Sequence, residues 1–229
     1  MPEPARNVLF LDAADPDDIA AAADLGFVSG VTLNPALVAR CSSEPLDHLK
    51  RLLDLFPGTI LFQPSAADVA AAELEVRAAL EEDRVVAKLP ATPEHARLTL
   101  QLREEGFECA LTAVYSAGQA ILAHEVGCRW IIPYVDRARR LLPEGEGLVG
   151  NLARVLETLR SETRILAASI KSSEQAVAAI KAGAAGVSCP LVVLTELMRH
   201  PLTETAIREF EAAGAAAKPA EAIGRREAP

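Results

Sequence analysis

Lys88 stands in RVVAKLPAT (Arg84 to Thr92), with valines and an alanine before it and a leucine and a proline after it. Charged lysine is among the side chains least often fully buried. Taking its ammonium out of water lowers the pKa and favours the neutral amine, a nucleophile that can condense with a ketone. The iminium so formed is an electron sink, and a neighbouring carbon–carbon bond can then break or form through an enamine. That chemistry also asks for a carboxylate to hold a hydroxyl or amine, and for a proton shuttle aimed at the carbinolamine. Asp12 is of the right type for the first, and Gln63, Thr112 and Tyr134 could hold a catalytic water for the second. No Ser-His-Asp triad or Gly-rich phosphate loop competes with this set.

Such residues work together only if the chain brings them to one place. Short apolar runs alternate with longer amphipathic ones along the whole sequence. The strand candidates are Val8 to Asp12, Gly30 to Leu33, Thr59 to Gln63, Arg84 to Leu89, Cys109 to Val114, Trp130 to Val135, Arg164 to Ser169 and Gly186 to Pro190. Between them, helical periodicity covers stretches such as 17–25, 66–82, 93–105, 116–126, 148–161 and 174–182, and several of these stop at a glycine. Strands followed by helices, repeated eight times, imply an α/β fold: a single (β/α)8 TIM barrel with its parallel sheet covered on the outside. No GxGxxG follows the first strand, which disfavours a dinucleotide-binding sheet. Two further helices are expected over 191–199 and 201–213, so that residues 1–213 form one domain. Residues 214–229, rich in Ala, Pro and charge, are expected to be a disordered tail.

In such a barrel the site forms at the C-terminal ends of the strands. Those ends carry Asp12, Thr32 with Asn34, Gln63, Lys88, Thr112, Tyr134, Ser169 and Ser188. Their convergence makes a functional cluster a better account of Lys88 than a snorkelling lysine.

Composition narrows the partners. The net charge is −9 over 229 residues with no basic block, which disfavours nucleic acid. A phosphorylated small molecule remains open, since one local pair of cations suffices. No apolar run approaches a membrane span and no charged-then-apolar leader opens the chain, so a cytoplasmic protein is expected. The four cysteines form no CxxC, and neither they nor the four histidines have metal-ligand spacing, so no metal or cofactor is expected.

The chain resembles the small transaldolase and fructose-6-phosphate aldolase family. The resemblance rests on LFLDAAD, GVTLNPAL, VVAKLPAT, LTAVYSAGQA, IIPYVDR, LAASIK and RHPLTETAIREF, in order from about Val8 to Ala213. It implies that Lys88 is the Schiff-base lysine and that Asp12 contacts the bound donor. It also implies that Ser169 and Arg137, with Lys171, hold the phosphate of an acceptor, and that Thr32 and Asn34 belong to the substrate site. The implied donors are small hydroxyketones, dihydroxyacetone or hydroxyacetone, and the implied acceptors aldehydes such as glyceraldehyde 3-phosphate. Family members pack the final helix on a neighbouring subunit, so a homo-oligomer, a pentamer or decamer, is implied.

Transaldolases of the family carry glutamate, asparagine and phenylalanine where this chain has Gln63, Ala110 and Tyr134, so the resemblance favours the aldolase branch, a lyase. A transaldolase passing on a three-carbon unit is the alternative, and an inactive sugar-phosphate-binding barrel a second one. Four departures bear on substrate choice: Leu33 for a threonine, Ala13 for a threonine, Arg139 for an aspartate, and Ile132 for a smaller alanine.

Overall fold

The computed structural model describes residues 8–66 and 68–216. Eight parallel strands close into a barrel in chain order. They are β1 (Leu9–Leu11), β2 (Gly30–Thr32), β3 (Thr59–Phe62), β4 (Val85–Pro90), β5 (Cys109–Val114), β6 (Trp130–Pro133), β7 (Arg164–Ala167) and β8 (Gly186–Cys189). The outer layer comprises α1 (Pro16–Asp24), α2 (Pro35–Val38), α3 (Pro45–Leu55), α4 (Val69–Ala79), α5 (Pro93–Glu104) and α6 (Gly118–Glu125). It continues with α7 (Val135–Leu141), α8 (Leu148–Thr158), α9 (Ser173–Lys181), α10 (Leu191–Leu197) and α11 (Pro201–Ala216). This is the expected (β/α)8 barrel with extra C-terminal helices.

Helix starts are set by local chemistry. Proline occupies the first turn of α1, α2, α3 and α5, where its missing N–H costs nothing. Asp68 caps the N–H groups of Ala70 and Ala71, so α4 begins at Val69 rather than at 66 as its alanine-rich pattern suggests. The sixth strand ends at Pro133 and not at Val135, because Val135 opens α7. That short helix carries Arg137 and has no counterpart among the stretches picked out by periodicity. At the other end, α11 runs to Ala216, so residues 214–216 belong to it; the rest of the expected tail lies outside the described residues.

Two apolar clusters divide the core. The larger lies between the sheet and the helices. The smaller, Phe10, Leu61, Val86, Ala110, Trp130, Ile132, Leu166 and Ala168, fills the barrel. Strand register and side-chain alternation stack the inward residues in layers drawn from alternate strands. Lowest are Val86 and Trp130 with Gly30 and Gly186. Glycine is required at 30, where a Cβ would stand 2.5 Å from the Phe10 ring. Above them come Phe10, Leu61, Ala110 and Leu166. The next layer, Thr32, Lys88, Ile132 and Ser188, is the first with polar groups. Asp12, Gln63, Thr112 and Ala168 stand over it, with Asn34 and Tyr134 higher still. The barrel is apolar below and polar toward the strand C-termini.

Candidate active site

Lys88 is 3% exposed and lies in the lower polar layer, held upright by two acceptors. Its Nζ donates to the Leu33 carbonyl at 2.8 Å and to Gln63 Oε1 at 2.6 Å. Burial lowers its pKa to about 8, with the negative charge of Asp12 opposing the shift. A neutral amine has two hydrogens and a lone pair. The hydrogens match the two acceptors, which leaves the lone pair free.

Asp12 projects just beyond β1. Its backbone N–H donates to the Cys189 carbonyl, and His48 Nε2 lies 2.7 Å from the Ala14 carbonyl, pinning the loop between β1 and α1. Thr32 Oγ1 donates to Asp12 Oδ1 at 3.2 Å and lies 2.6 Å from Ser188 Oγ. Burial raises the Asp12 pKa, while the charge on Lys88, the Thr32 hydrogen bond and the charge on Lys171 pull it down in that order.

Tyr134 comes directly after β6 and faces inward above Ile132. Its phenol is raised in pKa chiefly by burial, with the Thr112 hydroxyl opposing. Thr112 Oγ1 is itself buried, with no direct hydrogen-bond partner among the described residues. The Tyr115 ring meets Tyr134 edge-on at 5.9 Å, and the Arg137 guanidinium lies 5.0 Å from the Tyr134 ring centroid. Ser169 adopts a left-handed backbone, φ +58°, a conformation costly for a residue with a Cβ.

A cavity of about 400 Å³ opens over Lys88. Of the residues expected at the site it is lined by Asp12, Thr32, Asn34, Gln63, Lys88, Tyr134, Arg137, Ser169 and Lys171, while Thr112 and Ser188 are buried outside its wall. Asn34 is already engaged, since its side-chain oxygen caps α2 at the Leu37 N–H. Pro35, Ala36 and Leu37 supply an apolar wall, and Arg40 adds a cation at the rim. Sequence reasoning did not select Arg40. The signal was there, a basic residue six positions beyond the capping Asn34, but only the fold shows that this segment lines the cavity.

The departures resolve by direction. Leu33 and Ala13 point outward into the layer between sheet and helices, so neither side chain touches the cavity. Leu33 contributes its carbonyl alone. Arg139 lies outside the site, 4.0 Å from Asp136. Ile132 is buried in the barrel-interior cluster against which Tyr134 packs, and is not part of the cavity lining.

A barrel with one buried lysine among amide, hydroxyl and carboxylate groups at its C-terminal mouth defines an enzyme of the aldolase type. Residues 9–226 match the family model described as transaldolase/fructose-6-phosphate aldolase, and the chain belongs to that family. Its curated relatives include a probable transaldolase of Chlorobium phaeobacteroides, 33% identical over 211 residues (88% of this chain, 94% of the relative). A probable transaldolase of Hydrogenobaculum is 34% identical over 202 residues, again 88% of this chain and 93% of the relative. A third, from Symbiobacterium thermophilum, is 33% identical over 203 residues, with 88% and 94% covered. The protein is an enzyme of the aldolase or transaldolase type.

Proposed function

We propose that this enzyme is a class I aldolase in which Lys88 forms a Schiff base with a small hydroxyketone, dihydroxyacetone or hydroxyacetone. It makes or breaks the bond to an aldehyde such as glyceraldehyde 3-phosphate. The observation that carries the reading is the setting of Lys88, a buried amine whose two hydrogens are held and whose pKa is brought to about 8. Its lone pair attacks the ketone carbon, and loss of water from the carbinolamine gives the iminium. In the cleavage direction, electrons of the carbon–carbon bond flow into the iminium, and the aldehyde leaves as its hydroxyl gives up a proton.

In this reading the phenol of Tyr134, which lines the cavity with Gln63, passes those protons through water. Asp12 holds a donor hydroxyl or the amine, with Thr32 and Asn34 beside it. Arg137, Ser169 and Lys171 take the acceptor phosphate. The four free thiols fit a cytoplasmic setting.

Transfer of a three-carbon unit between sugar phosphates is the second reading, favoured by the names of the relatives. Against it stands Gln63, an amide that does not titrate, bound directly to Lys88. Ala110, the register partner of Lys88 on β5, also offers no polar group. One assay separates the two. Fructose 6-phosphate is incubated with the enzyme, and release of glyceraldehyde 3-phosphate is measured with and without erythrose 4-phosphate. Release without the acceptor is expected; release only in its presence assigns transfer. No release under either condition, together with no imine trapping, overturns both and leaves a binding barrel.

A further inference from the structure

Ser188 is the polar member of the Lys88 layer to which the proposed reaction gives no task. Its side chain is fully buried, and its hydroxyl lies 2.6 Å from Thr32 Oγ1. Thr32, 2% exposed, in turn reaches Asp12 Oδ1 at 3.2 Å. A threonine hydroxyl has one proton to give. Once that proton is given to a carboxylate, the shorter bond must run from Ser188 to Thr32. Among the described residues, Ser188 and Asp12 are the partners of this hydroxyl, so removing either leaves its direction open. The backbone joins the same elements, because the Asp12 N–H donates to the carbonyl of Cys189, the neighbour of Ser188.

We propose that Ser188 is a positioning residue for the Schiff-base reaction: it fixes the Thr32 hydroxyl as donor to Asp12, and so orients the carboxylate facing Lys88. The proposal rests on that reading for its catalytic consequence but not for its geometry. Donation from Ser188 polarises the Thr32 hydroxyl and strengthens its bond to the carboxylate, as hydrogen bonds in a chain do in a dry interior.

Four groups face Asp12 from other elements. Lys88 on β4 and Lys171 beyond β7 favour the ionised carboxylate. Tyr134 beyond β6 is raised by burial and the Cys189 thiol on β8 is pushed up to about 12, so both stay neutral near pH 7. Loss of the Ser188 donor therefore leaves the carboxylate less stabilised, and it should protonate at higher pH.

The experiment uses the full chain with 13C-labelled aspartate, the Asp12 carboxyl being assigned through Asp12→Asn and followed by NMR across pH. In Ser188→Ala the Asp12 midpoint should move up by about half a unit to one unit, the scale of one buried hydrogen bond. Ser188→Thr should restore it. In parallel, kcat for cleavage should fall about three- to tenfold in Ser188→Ala, with the acid limb of its pH profile moved upward. The KM for the aldehyde partner should stay unchanged. An unmoved Asp12 midpoint in Ser188→Ala, or an equal shift in Ser188→Thr, overturns the proposal even if both variants lose thermal stability. Wild-type enzyme that traps no imine overturns the Schiff-base reading instead, while the carboxyl titration still decides the role of Ser188.

Discussion

The Lys88 amine ties stability to chemistry, and both should show the same pH window. An ordinary lysine titrates at 10.5 and this one at about 8, so between those values the unfolded chain holds a proton that the native state does not. Native stability therefore rises with pH through the window, by about 3 kcal/mol in total. Urea unfolding of the wild type and of Lys88→Met at pH 7 and pH 10.5 should show the difference moving by that order in favour of the wild type. Borohydride trapping with dihydroxyacetone should rise through pH 8 and add one donor mass to the peptide containing Lys88, and Lys88→Met should trap nothing. Tyr134 belongs to the same scale. Tyr134→Phe should cut turnover by about a hundredfold or more, the usual contribution of a positioned acid or base, while imine trapping stays detectable. Adding Gln63→Glu should recover part of the turnover, biased toward transfer. Near-normal cleavage by Tyr134→Phe alone would place the proton relay elsewhere.

At the level of elements, the site is assembled by the segments that leave the strand C-termini. The turn after β2 is fixed by Asn34 capping α2, and this brings an apolar wall and Arg40 over the cavity. Beyond β7 the chain is held at Ser169 in a left-handed conformation, its carbonyl accepting from the Asp136 N–H of α7. Thus α7 and the β7 exit are joined, and Arg137 and Ser169 come to one side of the cavity. Neither the existence of α7 nor the strained backbone at Ser169 was legible in the sequence. Seven residues with three arginines show little periodicity, and a positive φ leaves no mark at a serine. Arg137 is exposed, forms no ion pair with a carboxylate among the described residues, and donates to the Tyr115 hydroxyl at 3.4 Å. Arg137→Ala should raise KM for a phosphorylated acceptor by about tenfold or more, as expected for a lost charged hydrogen bond. The effect on unphosphorylated glyceraldehyde should be small. Equal losses on both substrates would make Arg137 a structural residue.

For the molecule as a whole, charge and apolar surface are unevenly placed. The chain carries a net −9, yet Arg40, Arg137 and Lys171 gather at the cavity, and none of them forms an ion pair among the described residues. A local positive mouth on an acidic protein attracts an anionic substrate against the overall field. No helix among the described residues is long and apolar enough to cross a membrane. The barrel is complete before α11, and that helix exposes Leu202 and Phe210 at 72% and Ile207 at 48%. An apolar stripe so exposed on one chain is expected to be covered by another copy. Sedimentation at micromolar concentration should find an oligomer, and Leu202→Glu with Phe210→Glu should dissociate it. A wild-type monomer at that concentration would count decisively against this assembly.

The sequence by itself determined the alternation of strands and helices and the polar residue at each strand exit, because both depend on neighbours a few positions away. Short apolar runs mark strands covered on both faces, and glycines mark helix ends. It also supplied the chemical logic of Lys88, since an amine in an apolar run keeps its character in any fold that buries it. Only the tertiary structure decided which face of each strand lies inside. That choice turned Leu33 and Ala13 away from the cavity, although their neighbours Thr32 and Asp12 line it. It also brought Ser188 to Thr32 across 156 positions of sequence, a contact set by the stagger of a closed sheet. Closure is a property of all eight strands at once, so no local pattern can carry it.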